Sequence, residues 1–303
     1  CAKARELDDG TPYVAEANGW LAYYSGQVPS AISWFERALT LNPSGATALL
    51  GLGTALEALG RNDEAEKALV EGTVSRPGLW RTQNGLALFL QRRGRIEESV
   101  RRLQLALDLA PGNVSVLNNL GVSFLFGQDY GNAVQAWNKA LEITPLNEHG
   151  PTLSNIGAAY YLMRDFSAAQ VAYEKASRFL GDDYRIWDNL SDTLAAQGEV
   201  EKANELRRRA LDRAKLLFEQ NSSDYHALAS GACAKSALGL DGWREEIEIA
   251  LTALPDDADL QRIASLCFLR AGETEQARLH YSQALRLGYP EAFLKADVQF
   301  AGL

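Results

Sequence analysis

The sequence predicts an all-α protein, an α-solenoid of about eight stacked helix-turn-helix units, and three observations carry that prediction. Prolines at Pro43, Pro77, Pro111 and Pro145 follow one another at intervals of 34 residues, and a fixed period of this size marks a stacked-repeat architecture. Three of them close similar phrases: Ala-Leu-Thr-Leu-Asn-Pro at 38–43, Ala-Leu-Asp-Leu-Ala-Pro at 106–111 and Ala-Leu-Glu-Ile-Thr-Pro at 140–145. No stretch alternates apolar and polar residues with the period of a half-buried strand, and no low-complexity linker interrupts the chain. With 303 residues, 47% of them hydrophobic, the chain carries enough apolar surface for a large core.

Setting Pro43 at position 32 of a 34-residue unit starts the first unit at Pro12. Gly19 then falls at position 8, Gly26 at 15, Ala31 at 20, Phe35 at 24 and Ala38 at 27. The small residues mark close helix approaches, and the large side chain at position 24 fills the gap between them. The units run 12–45, 46–79, 80–113 and 114–147 in this frame. Gly53, Gly60 and Ala65 keep it in the second, Leu86, Ala87, Gly94 and Ala106 in the third, and Leu120, Gly121, Ala133, Trp137 and Ala140 in the fourth. Two residues later, 150–183 has Ile156, Gly157, Tyr160, Ala169, Tyr173 and Ala176, with Gly181 in the proline's place. The unit 184–217 has Trp187, Leu190, Gly198, Ala203 and Ala210, and its second helix is expected to run on through Phe218. Asn221-Ser222-Ser223-Asp224 reads as a loop and helix cap. The unit 224–257 is degenerate, with Trp243 where alanine is expected, and 258–291 recovers Gly272, Ala277, Tyr281 and Ala284. Residues 292–303 form a short cap.

This frame resembles the tetratricopeptide repeat (TPR), which implies a right-handed superhelix of helical hairpins whose first helices line a concave partner-binding face. A narrower resemblance rests on Asp183-Tyr184-Arg185-Ile186-Trp187-Asp188-Asn189-Leu190, on Ala210-Leu211-Asp212-Arg213-Ala214, and on Gly288-Tyr289-Pro290 with Ala296-Asp297-Val298. These phrases are similar to the C-terminal TPR array of bacterial serine/threonine protein kinases and of winged-helix signalling regulators. That resemblance implies a cytoplasmic array attached to a signalling domain. The tail Phe300-Ala301-Gly302 departs from the more charged ending of that arrangement. No His-Arg-Asp, Asp-Phe-Gly or glycine-rich phosphate loop is present, so no phosphoryl transfer is assigned to these residues. Extended backwards, the frame makes residues 1–11 the end of a preceding repeat, with Cys1 internal to a longer chain. The alternative makes Cys1 the lipidated first residue of an outer-membrane TPR lipoprotein that assists secretin or pilus assembly.

Thirty Lys and Arg against 39 Asp and Glu give a net charge of −9, which argues against direct nucleic-acid binding. No segment reads as a membrane span. Cys1, Cys233 and Cys267 form neither a disulfide framework nor a metal-ligand spacing. Cys233 and Cys267 share position 10 of successive first helices, as small packing residues do. His149, His226 and His280 lie in different units, apart from any nucleophile. No catalytic residue, metal or cofactor is therefore expected, and the chain reads as a non-enzymatic interaction scaffold. Arg207-Arg208-Arg209 and Arg101-Arg102 fall on second helices and are expected to be solvated, with acids such as Glu97 and Glu98 beside the latter.

The candidate binding residues lie on first helices. Asn119, Asn155 and Asn189 stand at position 6, with Asn84 and Asn118 at position 5. An asparagine amide offers one acceptor and two donors, so a ladder of them can hold the backbone of an extended peptide. Alternatively, the same asparagines bond the neighbouring hairpin. Arg81 and Arg185 at position 2, with Arg92 at position 13, suit a carboxylate on the partner. Trp20, Tyr23 and Tyr24 offer an aromatic groove in the first unit, or else cover the end of the array. The expected partner is a protein or peptide.

Overall fold

A computed structural model describes residues 11–303. The expected helix end at residues 1–10, and with it Cys1, lies outside the described residues. Thr11 is the N-cap of the first helix, accepting from the Val14 amide at 3.4 Å.

Among the described residues there are seventeen α-helices and no strand. They pair as antiparallel hairpins: α1 (Pro12–Tyr24) with α2 (Val28–Leu41), α3 (Ala46–Ala58) with α4 (Asn62–Ser75), and α5 (Trp80–Arg92) with α6 (Ile96–Leu109). Next come α7 (Val114–Phe126), α8 (Tyr130–Ile143), α9 (His149–Leu162) and α10 (Phe166–Leu180). The rest are α11 (Tyr184–Ala196), α12 (Val200–Gln220), α13 (Tyr225–Ala237), α14 (Trp243–Ala253), α15 (Ala258–Arg270), α16 (Thr274–Arg286) and α17 (Glu291–Ala296). Turns of 3₁₀ helix occupy 146–148 and 298–300. The chain divides into two compact units between Ser123 and Phe124.

Local chemistry sets the helix limits. Asp129, Asp165 and Asp224 each accept from an amide three residues on, at 3.2, 3.0 and 3.0 Å, and so satisfy one orphan N–H at a helix start. Each hairpin turn needs one residue in the left-handed region. Gly26, Gly60 and Gly94 supply it in the first three hairpins, with φ of 74°, 74° and 73°, where Cβ costs nothing because there is none. Gln128 and Arg164 occupy the same place in the next two hairpins at 60° and 61°.

In the first unit Phe35 is fully buried. A Cβ placed on Gly19 or Gly51 would come within 2.6 and 2.3 Å of its ring. The glycines thus create the slot that the position-24 side chain fills, and α1, α2 and α3 close around it. Tyr173 plays the same part in the second unit, where Gly157 faces its ring, and Trp137 is fully buried there. Trp243 is buried despite standing in an alanine position, edge-on to Phe268 at 5.1 Å. Helix α12 does run long, 21 residues, burying Ala203, Ala210 and Ala214.

The tail is more than an end cap. Leu294 and Phe300 enter the core formed by α13 to α16, and Phe293 meets Phe126 edge-on at 4.8 Å. The Tyr161 hydroxyl donates to Asp297 at 3.4 Å, and the Gln299 amide donates to Asp192 at 2.9 Å. Residues 297–300 therefore lie across the first helices α9, α11 and α15.

Candidate functional site, a polar face on the first helices

In the first unit the asparagines partly serve each other. Asn119 on α7 donates to Asn84 Oδ1 on α5 at 2.9 Å, and both are half-buried. That bond uses one donor of Asn119 and the oxygen of Asn84, so an amide nitrogen and a carbonyl oxygen remain for another group. Asn118 is half-buried beside them. Arg81 is exposed, its guanidinium 4.9 Å from the Trp80 ring. Arg92 is committed: its Nε and Nη2 grip Glu57 at 2.7 and 2.5 Å. Trp20 stacks on Tyr24 at 5.9 Å and stands edge-on to Phe35 at 5.2 Å. Trp20 and Tyr23 thus pack onto the core, leaving Tyr24 outside at 79% exposure.

In the second unit, α11, α12, α13 and α15 enclose an open cavity of about 780 Å³. Asn189 is exposed on its lining, while Asn155 on α9 stands outside it. Arg185 also lines it, but folds back on Asp183 with bonds of 2.9 and 2.6 Å. An adjoining cavity of about 310 Å³ is walled by Tyr161, Asp188, Asp192, Arg262 and the tail residues Asp297 and Gln299.

Between the two cavities lies a charged network that the sequence reading missed. Asp192 Oδ1 accepts from Arg207 at 3.3 Å and from Arg270, and Oδ2 accepts from Gln299. Arg270 also donates to Gln299 Oε1 at 2.9 Å and to Cys233 Sγ at 3.3 Å. Burial works against the Arg270 charge, yet Asp192, Cys233 and Asp188 outweigh it and hold the guanidinium firmly protonated. Arg207 corrects the expectation of a solvated arginine run. It is 8% exposed because it lies on the α12 face turned to α11, and only Arg208 and Arg209 are exposed. Glu98 bonds Arg95 at 2.6 Å and also lies within the fields of Arg101 and Arg102, as the sequence reading of that run expects.

Asp188, one turn before Asp192, lines both cavities. Its Oδ1 is buried and has no hydrogen-bond partner. Burial, with the neighbouring Asp192 charge, pushes its carboxyl up to about 6, against the pull of Arg270, Arg207 and Arg262. Two carboxylates four residues apart on one helix were visible in the sequence. Their partners on α12, α15 and the tail were not.

Cys233 and Cys267 are both buried. A bond from Cys267 draws the Cys233 thiol down, and burial pushes Cys267 up. The histidines have local partners: His149 the Thr144 carbonyl at 2.9 Å, His226 Asp257 at 3.2 Å, and His280 Gln261 at 2.8 Å. Among the described residues no group of three or more His, Cys, Asp or Glu is arranged to hold a metal, and no helix is long and apolar enough to cross a membrane.

A tetratricopeptide-repeat family model matches residues 16–78 and 85–148. The chain is 25% identical over 204 residues to BBSome complex member BBS4 of Bos taurus, an alignment covering 66% of this chain and 38% of that one. It is 25% identical over 194 residues to anaphase-promoting complex subunit 6 of Arabidopsis thaliana, covering 61% and 36%. The chain therefore spans less than two fifths of these curated relatives. Among solved structures, a tetratricopeptide repeat protein from Parabacteroides merdae is similar with a TM-score of 0.60 at 15% identity, over 96% of this chain and 99% of that one. PilW, a type IV pilus biogenesis factor, gives 0.60 at 18% identity over 65% and 91%. Pseudomonas aeruginosa pilF gives 0.56 at 20% identity over 70% and 92%. Identities this low speak for the fold, which is an all-α tetratricopeptide-repeat solenoid.

Proposed function

We propose that this tetratricopeptide-repeat protein is a non-catalytic scaffold that captures a segment of a partner protein on its first-helix faces. The observation that carries the reading is the open 780 Å³ cavity on the second unit, with Asn189 exposed on its lining. A single asparagine amide there can accept from a peptide N–H and donate to its C=O. In the first unit the half-buried Asn84–Asn119 pair offers the same chemistry. The curated relatives are by name a BBSome complex member and an anaphase-promoting complex subunit, which is in keeping with a scaffold. On the resemblance of its 183–190 and 288–298 phrases, the array serves a cytoplasmic signalling protein. The intact mass of the native protein tests that placement: acyl chains on Cys1 would replace it with the lipid-anchored assembly factor.

The binding face is tested by selecting peptides from a displayed library on the full chain and measuring the best by calorimetry. Asn155→Ala with Asn189→Ala should weaken a peptide seated on the second unit about ten-fold, the scale of one or two lost hydrogen bonds, with circular dichroism unchanged. Undiminished affinity in that pair, and in an Asn84→Ala, Asn119→Ala pair, would overturn the assignment.

A further inference from the structure

The charged network beside the cavities is closed at Asp192 and Arg270, while Arg207 Nε at its edge and Asp188, one helical turn away, each keep a buried atom without a partner. Asp192 has three donors, and Arg270 is spent on Asp192, Gln299 and Cys233. Arg262 donates to Asp259 at 2.8 Å and lies against the Tyr289 ring. Asp188 Oδ1, buried between the cavities, receives nothing. A buried carboxylate oxygen without a donor costs on the order of 1–3 kcal/mol or more.

The charge balance around the larger cavity says what is lacking. Five carboxylates line it against three guanidiniums. Asp183 takes Arg185 and Asp259 takes Arg262, while Arg213 donates to the Asp182 backbone carbonyl at 3.2 Å. These three arginines are engaged, and the free Nε of Arg207 makes no bond to Asp188, so a positive donor for Asp188 has to come from outside.

We propose that this cavity takes the guanidinium or ammonium group of a basic side chain in the partner's segment, with Asp188 as its counter-ion and Asn189 bonding the adjacent backbone. The inference rests on the reading of this face as partner-binding and adds the chemistry of the residue it selects. The occupant is committed to be a basic protein segment, since Asn189 on the same lining suits a peptide backbone. Cation binding requires the ionised carboxylate, so it strengthens as pH rises from about 5 to 7. The groups that bear on Asp188 while it titrates are Asp192 on its own helix, Arg207 from α12, and Arg262 and Arg270 from α15. The larger cavity is also lined by Asp224, His226 and Cys233 at the start and middle of α13, and the smaller one by Asp297 from the tail.

The probes are N-acetyl-arginine amide and its neutral isostere N-acetyl-citrulline amide, titrated into the ¹⁵N-labelled full chain and followed by NMR. The arginine compound should shift amides of α11, α13 and α15 and bind about ten-fold or more tightly than citrulline, the scale of a charge-assisted bond to a buried carboxylate. Asp188→Asn should abolish that preference while a thermal melt shows the fold intact. Equal binding of the two compounds, shifts confined to other helices, or a preference that survives Asp188→Asn would each overturn the proposal. The selected peptide separates the two readings. If Asp188→Asn leaves its affinity unchanged while the Asn155→Ala, Asn189→Ala pair weakens it, the basic anchor is wrong and the partner face stands. If neither changes it, both fail for this unit.

Discussion

At the scale of single residues, Asp188 sets a tension between stability and binding. Its carboxyl holds its proton up to about 6 in the fold, against 3.8 when free. Between those values the folded chain keeps a proton that the unfolded chain has lost. The stability linked to this group is therefore complete below about pH 4, falls as pH rises to about 6, and does not return above it. Asp188→Asn removes the group. Relative to the parent, the variant should gain up to about 3 kcal/mol at pH 7.5 and almost nothing at pH 4, read from urea unfolding at both values. An equal gain at the two pH values would show that Asp188 is not held protonated. The sequence made Asn84, Asn119 and Asn189 legible as first-helix residues, because their place follows from the 34-residue frame. Whether each amide faces a neighbour or a ligand depends on contacts across hairpins, such as the Asn119–Asn84 bond over 35 residues. No local pattern encodes that distance.

At the scale of elements, the repeat frame encodes helices and turns well because each is fixed by neighbours a few residues away. Gly19 and Gly51 around Phe35 show it, since two missing Cβ atoms and one aromatic ring define a hairpin core. The turns hold a sharper test. Gln128 and Arg164 stand at φ of 60° and 61° where other hairpins use glycine, a conformation that costs an L-residue about 1–2 kcal/mol. Gln128→Gly and Arg164→Gly should each raise stability by about 1 kcal/mol, less the added entropy of glycine in the unfolded chain, as measured by chemical denaturation. A loss of stability would mean that the Gln128 or Arg164 side chain makes contacts worth more than its backbone strain. The charged run on α12 shows the limit of element-level reading. Three consecutive arginines look alike in sequence, yet the helix turns one of them, Arg207, toward Asp192 and leaves the other two outside.

At the scale of the whole molecule, a repeat protein is legible as far as its contacts are nearest-neighbour, because a period in sequence then becomes a period in space. The tail breaks that rule. Gln299 bonds Asp192 across 107 residues and Tyr161 bonds Asp297 across 136, so residues 297–300 act on hairpins far from the one they follow. Phe300, 5% exposed against the Tyr281 ring at 5.7 Å, is the apolar anchor of this return. Its truncation removes a buried aromatic, a change that typically costs 3–5 kcal/mol. It also frees the Gln299 clamp that steadies Arg270 against Asp192. Phe300→Ala should therefore speed amide hydrogen exchange not only in the adjoining α15 and α16 but also in α9 and α11, where the tail docks. If protection falls only in α15 and α16, the tail is an end cap of the last hairpin. If it falls in α9 and α11 as well, the tail is a strut of the cavity that holds Asp188.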